Sequence, residues 1–302
     1  FYHFRKEFYL MKKTGYFFLC FLPMIISVSL QVILSFPMMG LSMMQTCISN
    51  LIAGKKPALD ELVTQLYARW SSENFTMTLS IVFSICCILL FGFWYTYQFE
   101  GRLKQSPKNF LNVPVVLSLI LIVPGLQFFS SILTGLSASV FPNWMKFYEK
   151  LMDTAGFSDN PSILLFFYAV LLGPIGEELI FRGVTLSSAK RVFPFWAANI
   201  FQALLFGIFH LNVIQSIYAF MIGLVLGYVC ERGGSICLSM FLHMLFNAWG
   251  TFVSTDNFIY SNPLYLSIFF VLAIFFALFG LYLFHKNAVS ARVNDPSPSS
   301  DI

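Results

Sequence analysis

Long apolar runs alternate with short polar segments along the whole chain. The apolar runs cover residues 16–36, 78–97, 113–135, 162–181, 193–211, 214–230, 236–254 and 263–284. A membrane-spanning α-helix needs about 20 mostly apolar residues. The pattern therefore predicts an all-α polytopic membrane bundle with about eight transmembrane helices. The first run follows Lys12 and Lys13 and exceeds the apolar core of a signal peptide, so we expect a retained first span.

Two of the longer segments between these runs are amphipathic. Apolar residues recur at helical spacing over residues 59–70, and again over residues 141–152, where charged residues take the opposite face. Both segments predict helices that lie in the membrane interface. Such helices could cover a cavity or could be passive surface elements, and the pattern favours neither.

The composition excludes several classes of protein. Charged residues make up only 11% of the chain and hydrophobic residues 58%, whereas a soluble domain carries about 25% charged residues. The net charge is +4, but no basic face with base-stacking aromatics accompanies it, so no nucleic-acid partner is expected. The six cysteines form no CxxC motif, which argues against a disulfide framework or a zinc knuckle.

The distribution of Lys and Arg predicts the orientation. Cytoplasmic loops of membrane proteins carry an excess of these residues. With a cytoplasmic N-terminus, inner segments hold 13 of the 18 Lys and Arg residues and outer segments hold 5. We therefore expect an integral, multi-pass protein of the cell membrane, if its source is bacterial, with both termini cytoplasmic. Three regions follow: 1–160 with three spans and two interfacial helices, 161–285 as a five-span core, and 286–302 as a disordered cytoplasmic tail.

Few ionisable residues lie within the apolar runs. Glu177 and Glu178 are adjacent near the end of the fourth run, and Arg182 follows at its edge. His210 and His243 lie inside later apolar runs, which predicts that both sit within helices. A charge at the centre of a bilayer costs at least ~3 kcal/mol, and such residues are functional candidates by default.

Helical spacing separates the roles of the two glutamates. Residues four apart share a helix face, so Glu178 can pair with Arg182. Glu177 is rotated about 100° from Glu178 and is free to face a cavity. The same spacing places Phe206 beside His210.

His243 and Asn247 also share a face by this spacing. If the three helix faces converge, one carboxylate meets two imidazoles and one carboxamide. That set can hold a water, deprotonate it and stabilise an oxyanion.

A structural role is the alternative for each polar residue. A lone His or Asn on a membrane helix commonly serves as a contact between helices, worth ~0.6–2 kcal/mol. We adopt that interpretation for Asn199 and Gln202. A Glu pair with Arg four residues on and two His in later apolar runs favours a functional site.

These residues resemble a family motif set. The chain carries Glu177-Glu178-x-x-x-Arg182, Phe206-x-x-x-His210 and His243-x-x-x-Asn247 in this order. The set resembles the CAAX-protease and bacteriocin-processing family of intramembrane proteases, over roughly residues 161–255. The resemblance implies an eight-helix bundle and hydrolysis of a peptide bond within the membrane.

The resemblance also implies catalytic roles. It implies that Glu177 is the base that activates water, assisted by His210. It implies that His243 and Asn247 stabilise the oxyanion. Glu178 and Arg182, together with Phe206, are implied as supporting residues.

The sequence leaves metal dependence open. Glu177, His210 and His243 could ligate a metal, with zinc as the candidate, but the HExxH motif is absent. We expect a site without a metal or other cofactor.

Three functions are compatible with these residues. The first is an endopeptidase that acts on a membrane-associated or prenylated protein or peptide. The second is a non-proteolytic scaffold or regulator that binds a partner membrane protein. The third is a transporter with the Glu pair as a proton relay, for which an inverted repeat of broken helices is missing.

One geometric conflict stands out in the predicted spans. A straight fifth span would place His210 near the outer surface, far from Glu177. The conflict disappears if the fourth helix continues past Arg182, or if the fifth helix is short or tilted. We expect the shared cavity to open at the Glu178–Arg182 end, on the cytoplasmic side.

Overall fold

The fold is a bundle of helices, seen here in a computed structural model that describes residues 13–99, 112–157, 161–252 and 262–288. The helices are α1 (Leu22–Ile52), α2 (Leu59–Trp70), α3 (Glu73–Phe99), α4 (Val113–Val140), α5 (Pro142–Thr154), α6 (Ile163–Ala189), α7 (Phe195–Phe209), α8 (Val213–Gly233), α9 (Ile236–Phe252) and α10 (Pro263–Asn287). These residues contain no strand. The predicted all-α fold is confirmed, and α2 and α5 occupy the two amphipathic segments.

The helices differ in whether they can span a bilayer. Within the described residues, six are long and apolar enough: α1 (with its extension to Lys13), α3, α4, α6, α8 and α10. The other two expected spans, α7 and α9, have only 15 and 17 residues. At 1.5 Å per residue they reach about 22 and 25 Å, short of the ~30 Å hydrocarbon core. All eight expected apolar runs are thus helical, six of them long enough to span a bilayer and two shorter over the described residues.

The turns show how the helices alternate between the two ends of the bundle. Residues 190–194 join α6 to α7, residues 210–212 join α7 to α8, and residues 234–235 join α8 to α9. The described Lys and Arg residues at one end, here called the basic end, are Lys13, Lys190, Arg191, Arg232 and Lys286. The opposite end, here called the α5 end, contains α2, α5 and the 210–212 turn.

α6 is the most deeply buried helix of the bundle. Every residue from Glu178 to Ala189 is buried, and Phe181, Val184 and Leu186 are fully enclosed by neighbouring helices. The helix continues seven residues past Arg182, and α7 is short. Both features that would remove the depth conflict between Glu177 and His210 are thus present.

Close contacts between α7 and α8 depend on glycine. A Cβ at Gly223 would lie 3.1 Å from Ala203, and one at Gly227 would collide with the Asn199 side chain. Asn199 donates to the Leu224 carbonyl at 3.0 Å, and Gln202 donates to the Gly223 carbonyl at 2.9 Å. The interpretation of Asn199 and Gln202 as contacts between helices is confirmed.

Two further expectations concern the cysteines and the tail. All six cysteines are free thiols, as expected from their spacing. Residues 289–302 of the expected tail lie outside the described residues, and the proposed division at residue 160 stays a prediction.

Candidate active site

The Glu177–Glu178 pair lies near the middle of α6. This helix is regular over Gly173–Glu178, but π-helical over Phe166–Leu172 before it and over Leu179–Thr185 after it. π-Helical turns are rare and are frequent at functional sites. Glu177 is the fifteenth of the 27 residues of α6, which places it near mid-membrane if α6 spans the bilayer.

The two glutamates face different surroundings. Glu178 is fully buried and accepts a hydrogen bond from Arg182 Nη1 at 2.8 Å, as the i,i+4 spacing predicts. The Glu177 side chain is 22% exposed and lines a cavity. The separate positions expected for the two carboxylates are confirmed.

Arg182 has further contacts that fix its guanidinium. Its Nη2 donates to the Gly223 carbonyl of α8 at 3.2 Å. Its Cζ lies 4.4 Å from the centre of the Phe206 ring of α7. Since Arg182 is fully buried, these contacts and the Glu178 ion pair offset part of its lost hydration and join α6, α7 and α8, while its Nε has no hydrogen-bond partner.

His243 connects the two carboxylates. Its Nδ1 lies 3.0 Å from Glu178 Oε1, and its Nε2 lies 3.7 Å from Glu177 Oε2. A carboxylate can only accept, so Nδ1 carries the hydrogen and donates it to Glu178. Nε2 is thereby directed at the cavity beside Glu177, at a separation that suits a bridging water.

His210, at the end of α7, also has its Nδ1 in a hydrogen bond, as His243 does. It follows the last helical residue, Phe209, so the prediction that it lies within a helix is wrong. Its Nδ1 lies 2.9 Å from the Phe206 carbonyl, and because a carbonyl only accepts, Nδ1 is the donor. The Nε2 lone pair of His210 therefore remains available in the cavity.

The Phe206 ring contacts both imidazoles and the guanidinium of Arg182. Its centre lies 4.9 Å from the centre of the His210 ring and 5.8 Å from that of His243, edge to face in both cases. Its other contact is the guanidinium of Arg182. Phe206 therefore holds both rings in place against the buried charge.

Asn247 is anchored by a carbonyl that Pro174 leaves unpaired. In the first π-helical segment the Gly173 N–H donates five residues back, to the Tyr168 carbonyl. The next donor in this register would bond the Ala169 carbonyl, but it belongs to Pro174, which has no N–H. Asn247 Nδ2 donates to the Ala169 carbonyl instead, at 2.8 Å. This contact fixes the carboxamide at the cavity wall.

The predicted residues line one cavity of about 860 Å³. Glu177, Phe206, His210, His243 and Asn247 all line it. The prediction that the three helix faces converge is confirmed, while the roles of the individual residues stay predictions.

The cavity does not open where it was expected. Its wall includes the start of α3, the end of α4, and Tyr148, Leu151 and Met152 of α5. Arg182 and the α6 residues that follow it are sealed inside the bundle instead. The expectation of an opening at the Glu178–Arg182 end is therefore wrong, because the ion pair and its neighbours close that end.

The geometry also bears on metal binding. Among the residues that the structure describes, no group of three or more His, Cys, Asp or Glu side chains is arranged to hold a metal ion. Glu177, His210 and His243 therefore do not form such a group.

Comparison with known proteins agrees with the motif order. Residues 159–249 match the family described as type II CAAX prenyl endopeptidase Rce1-like. This segment is similar to that family. The resemblance to the CAAX-protease and bacteriocin-processing family is thereby confirmed. No curated protein and no solved structure matches the chain.

The Rce1-like segment begins just before α6 and ends within α9. It contains every residue of the cavity's polar cluster, whereas α1 to α5 and α10 lie outside the match. The match supports a CAAX-type intramembrane protease at the level of the family. Together with six helices long enough to span a membrane, it supports an integral, multi-pass membrane protein.

Sequence reasoning missed several residues of this site. The Ala169 carbonyl, the Gly223 carbonyl and the Tyr148–Tyr218 pair, whose hydroxyls lie 3.3 Å apart, have no motif of their own. Pro174 was the one available signal, since a proline inside a helix always frees a carbonyl.

Proposed function

We propose that the protein is an intramembrane endopeptidase that hydrolyses a peptide bond by glutamate-activated water. The observation that carries this proposal is the shared cavity, in which Glu177 lies beside His243 Nε2 and which His210 also lines. A carboxylate flanked by imidazoles at a water-accessible position suits general-base chemistry.

The first step is the attack of water on the scissile carbonyl. Glu177 takes one proton from the water, and the oxygen forms a bond to the carbonyl carbon. His210, whose Nε2 is free, accepts a hydrogen bond from the same water and orients it. The proton then passes from Glu177 to the leaving amine nitrogen as the C–N bond breaks, which yields an acid and an amine.

The second requirement is stabilisation of the oxyanion. Asn247 has one N–H held by the Ala169 carbonyl and a second that can donate to the oxyanion. His243 already uses Nδ1 for Glu178, so Nε2 is the atom that it can direct at the oxyanion. Fixed donors of this kind contribute about 10²–10³ in rate each.

Substitution of Glu177 tests the base. We expect Glu177→Gln to abolish hydrolysis, because a neutral isostere cannot take the proton from water, while the melting temperature in detergent stays near that of the parent. Turnover is measured with a substrate that co-purifies with the variant from native membranes. Glu231→Gln, whose parent residue pairs with Lys190 at the basic end, is the matched control. Near-normal turnover by Glu177→Gln would instead favour a partner-binding scaffold.

We further propose that the site works without a metal. Purified active protein should contain no stoichiometric zinc and should keep its activity in chelator, because water activation rests on Glu177. Elemental analysis before and after chelation measures both quantities. One zinc per chain, lost together with activity, would reverse this proposal.

The charge distribution supports an orientation. We propose that both termini are cytoplasmic, because 12 of the 18 Lys and Arg residues belong to segments on that side of the alternating helices, Arg182 being enclosed within α6. The basic end of the bundle is then cytoplasmic and the α5 end faces outward.

A further inference from the structure

The side of α4 that faces the cavity is polar, although the helix as a whole is apolar. Gln127, Ser130, Ser131 and Thr134 line the cavity and are spaced three and four residues apart, which places them along one helix face. These four residues are here called the α4 stripe. Polar side chains within a membrane helix are costly and commonly functional, and the hydrolytic roles proposed above leave the α4 stripe unexplained.

The hydroxyls of the α4 stripe are free to bind a ligand. Ser130, Ser131 and Thr134 have no hydrogen-bond partner among the described residues. Ser118 and Ser139 of the same helix instead donate to carbonyls three residues back in α4, at 2.6 and 2.7 Å. The three hydroxyls that line the cavity therefore differ from these two in having no partner within the protein.

Gln127 has one half of its carboxamide fixed and the other half unpaired. Its Nε2 donates to the Phe246 carbonyl of α9. Because a carbonyl only accepts, this contact decides which end of the amide is the nitrogen. Oε1 accepts no hydrogen bond from any residue that the structure describes. An unpaired oxygen in the wall of a cavity suits an N–H donor that the substrate brings.

This unpaired oxygen belongs to a side chain that packs against the part of α9 bearing Asn247. Phe246, whose carbonyl Gln127 bonds, directly precedes Asn247, and a Cβ at Gly250 would lie 3.4 Å from Gln127 Nε2. Gln127 is the fifteenth of the 28 residues of α4, and Glu177 is the fifteenth of the 27 of α6. Both therefore lie near mid-membrane if their helices span the bilayer.

An extended polypeptide matches this pairing of a donor with an acceptor. The N–H and C=O groups of one extended residue point to the same edge of the chain. If Asn247 donates to the carbonyl that water attacks, the N–H of that same residue faces the same side of the cavity. Gln127 Oε1 can then accept from this N–H, while the hydroxyls of the α4 stripe can pair with backbone groups further along.

We propose that Gln127 binds the backbone N–H of the substrate residue whose carbonyl is attacked, and that the rest of the α4 stripe binds the adjoining extended backbone. This inference rests on the proposed peptidase function and adds to it a residue that selects the scissile bond. It predicts cleavage after residues that have a backbone N–H. Proline has none, so a peptide should not be cut after proline.

Peptide binding to Glu177→Gln protein tests the inference without turnover. The protein in nanodiscs is equilibrated with a pool of random ten-residue peptides, and the retained peptides are sequenced. The peptide that binds most tightly is then resynthesised with each backbone N–H in turn replaced by N–CH₃, and each Kd is measured. We expect N-methylation at one residue to weaken binding about tenfold through loss of its hydrogen bond to Gln127.

Substitution of Gln127 in the same background identifies the partner of that N–H. Gln127→Met offers no oxygen, so the tenfold cost of N-methylation at that residue should vanish. Gln127→Glu retains an oxygen acceptor and should preserve the cost. Both variants lose the amide donor to Phe246, so a purely structural role would change both alike. Gln127→Ala replaces Gln127→Met if the methionine variant does not fold.

Three outcomes of these measurements would overturn the proposal. They are a pool from which no peptide is retained, a scan without a sensitive N–H, and a cost of N-methylation that persists in Gln127→Met. Digestion of the same peptide by the parent protein then separates this inference from the peptidase function. Cleavage should follow the residue whose N–H is sensitive, and cleavage at another bond would overturn the proposal. An uncleaved peptide with the expected binding pattern would contradict only the peptidase function.

Discussion

Substitution of Arg182 should strongly reduce the stability of the protein. The residue is fully buried and bonds Glu178, the Gly223 carbonyl and the Phe206 ring. We expect Arg182→Ala to lower the free energy of unfolding by about 3–5 kcal/mol, because it leaves the Glu178 carboxylate buried without its cation. Thermal unfolding in detergent, followed by loss of monodisperse protein, measures the effect.

Arg182→Lys provides the control for this prediction. Lysine keeps the charge beside Glu178 but cannot also donate to Gly223 and stack on Phe206. Its loss of stability should fall between those of the parent and Arg182→Ala. A fully stable but inactive Arg182→Ala protein would contradict the structural role and would place the guanidinium in the chemistry.

At the scale of residues, spacing along the sequence predicted side-chain contacts between residues of the same helix. The i,i+4 relation gave the Glu178–Arg182 pair and the contact of Phe206 with His210. It could not show that His243 donates to Glu178, since those residues are 65 apart in sequence and meet only when α6 packs on α9. Side-chain contacts between distant helices depend on the fold and leave no local pattern.

At the scale of elements, the π-helical start of α6 has a function that can be tested. Pro174→Ala adds an N–H that can bond the Ala169 carbonyl and displace Asn247 from it. We expect stability to remain unchanged or to rise, and turnover to fall about tenfold, because the carboxamide loses its anchor. Hydrolysis rates and melting temperatures of the same preparations measure both effects.

A double-mutant cycle separates this effect from a general disturbance of α6. If Pro174 acts through Asn247, adding Pro174→Ala to Asn247→Ala should cost little further activity. Pro263→Ala, at the start of α10 and far from the cavity, serves as the control. Full additivity of the two losses would show that Pro174 acts by another route.

The helix lengths could be predicted from the sequence only in part. Hydropathy found all eight apolar runs but set the limits of α7 too wide, because apolar residues continue into the turns that flank it. Periodicity also gave no sign of the π-helical turns in α6, since seven residues are too few to distinguish a wider turn from an ordinary one.

At the scale of the molecule, the short helices carry the chemistry. α7 bears Phe206 and leads to His210, and α9 bears His243 and Asn247. A thick bilayer would have to thin locally around α7, whose 15 residues reach about 22 Å. We therefore expect turnover in reconstituted vesicles to be higher in lipids with shorter acyl chains. Helix content by circular dichroism should not change across the series; equal rates in all lipids would contradict the prediction.

The overall architecture was the part that the sequence predicted best. Composition and apolar runs require a helical membrane bundle, because backbone groups in lipid must pair within each helix. The end at which the cavity opens could not be predicted, since it depends on how Arg182 and the residues after it are enclosed. Burial of these α6 residues by α3, α7 and α8 follows from packing of the whole bundle.

The scarcity of charged side chains in the described wall of the cavity should affect how peptide binding responds to ionic strength. Charged rims draw in charged ligands from a distance, and added salt weakens that attraction. Here the described wall offers Glu177 as its only carboxylate and no Lys or Arg, while the Glu178–Arg182 pair is shut away from solvent. Capture of a peptide should therefore depend little on salt, and selection among peptides then lies in the short-range fit of hydroxyl and carboxamide groups.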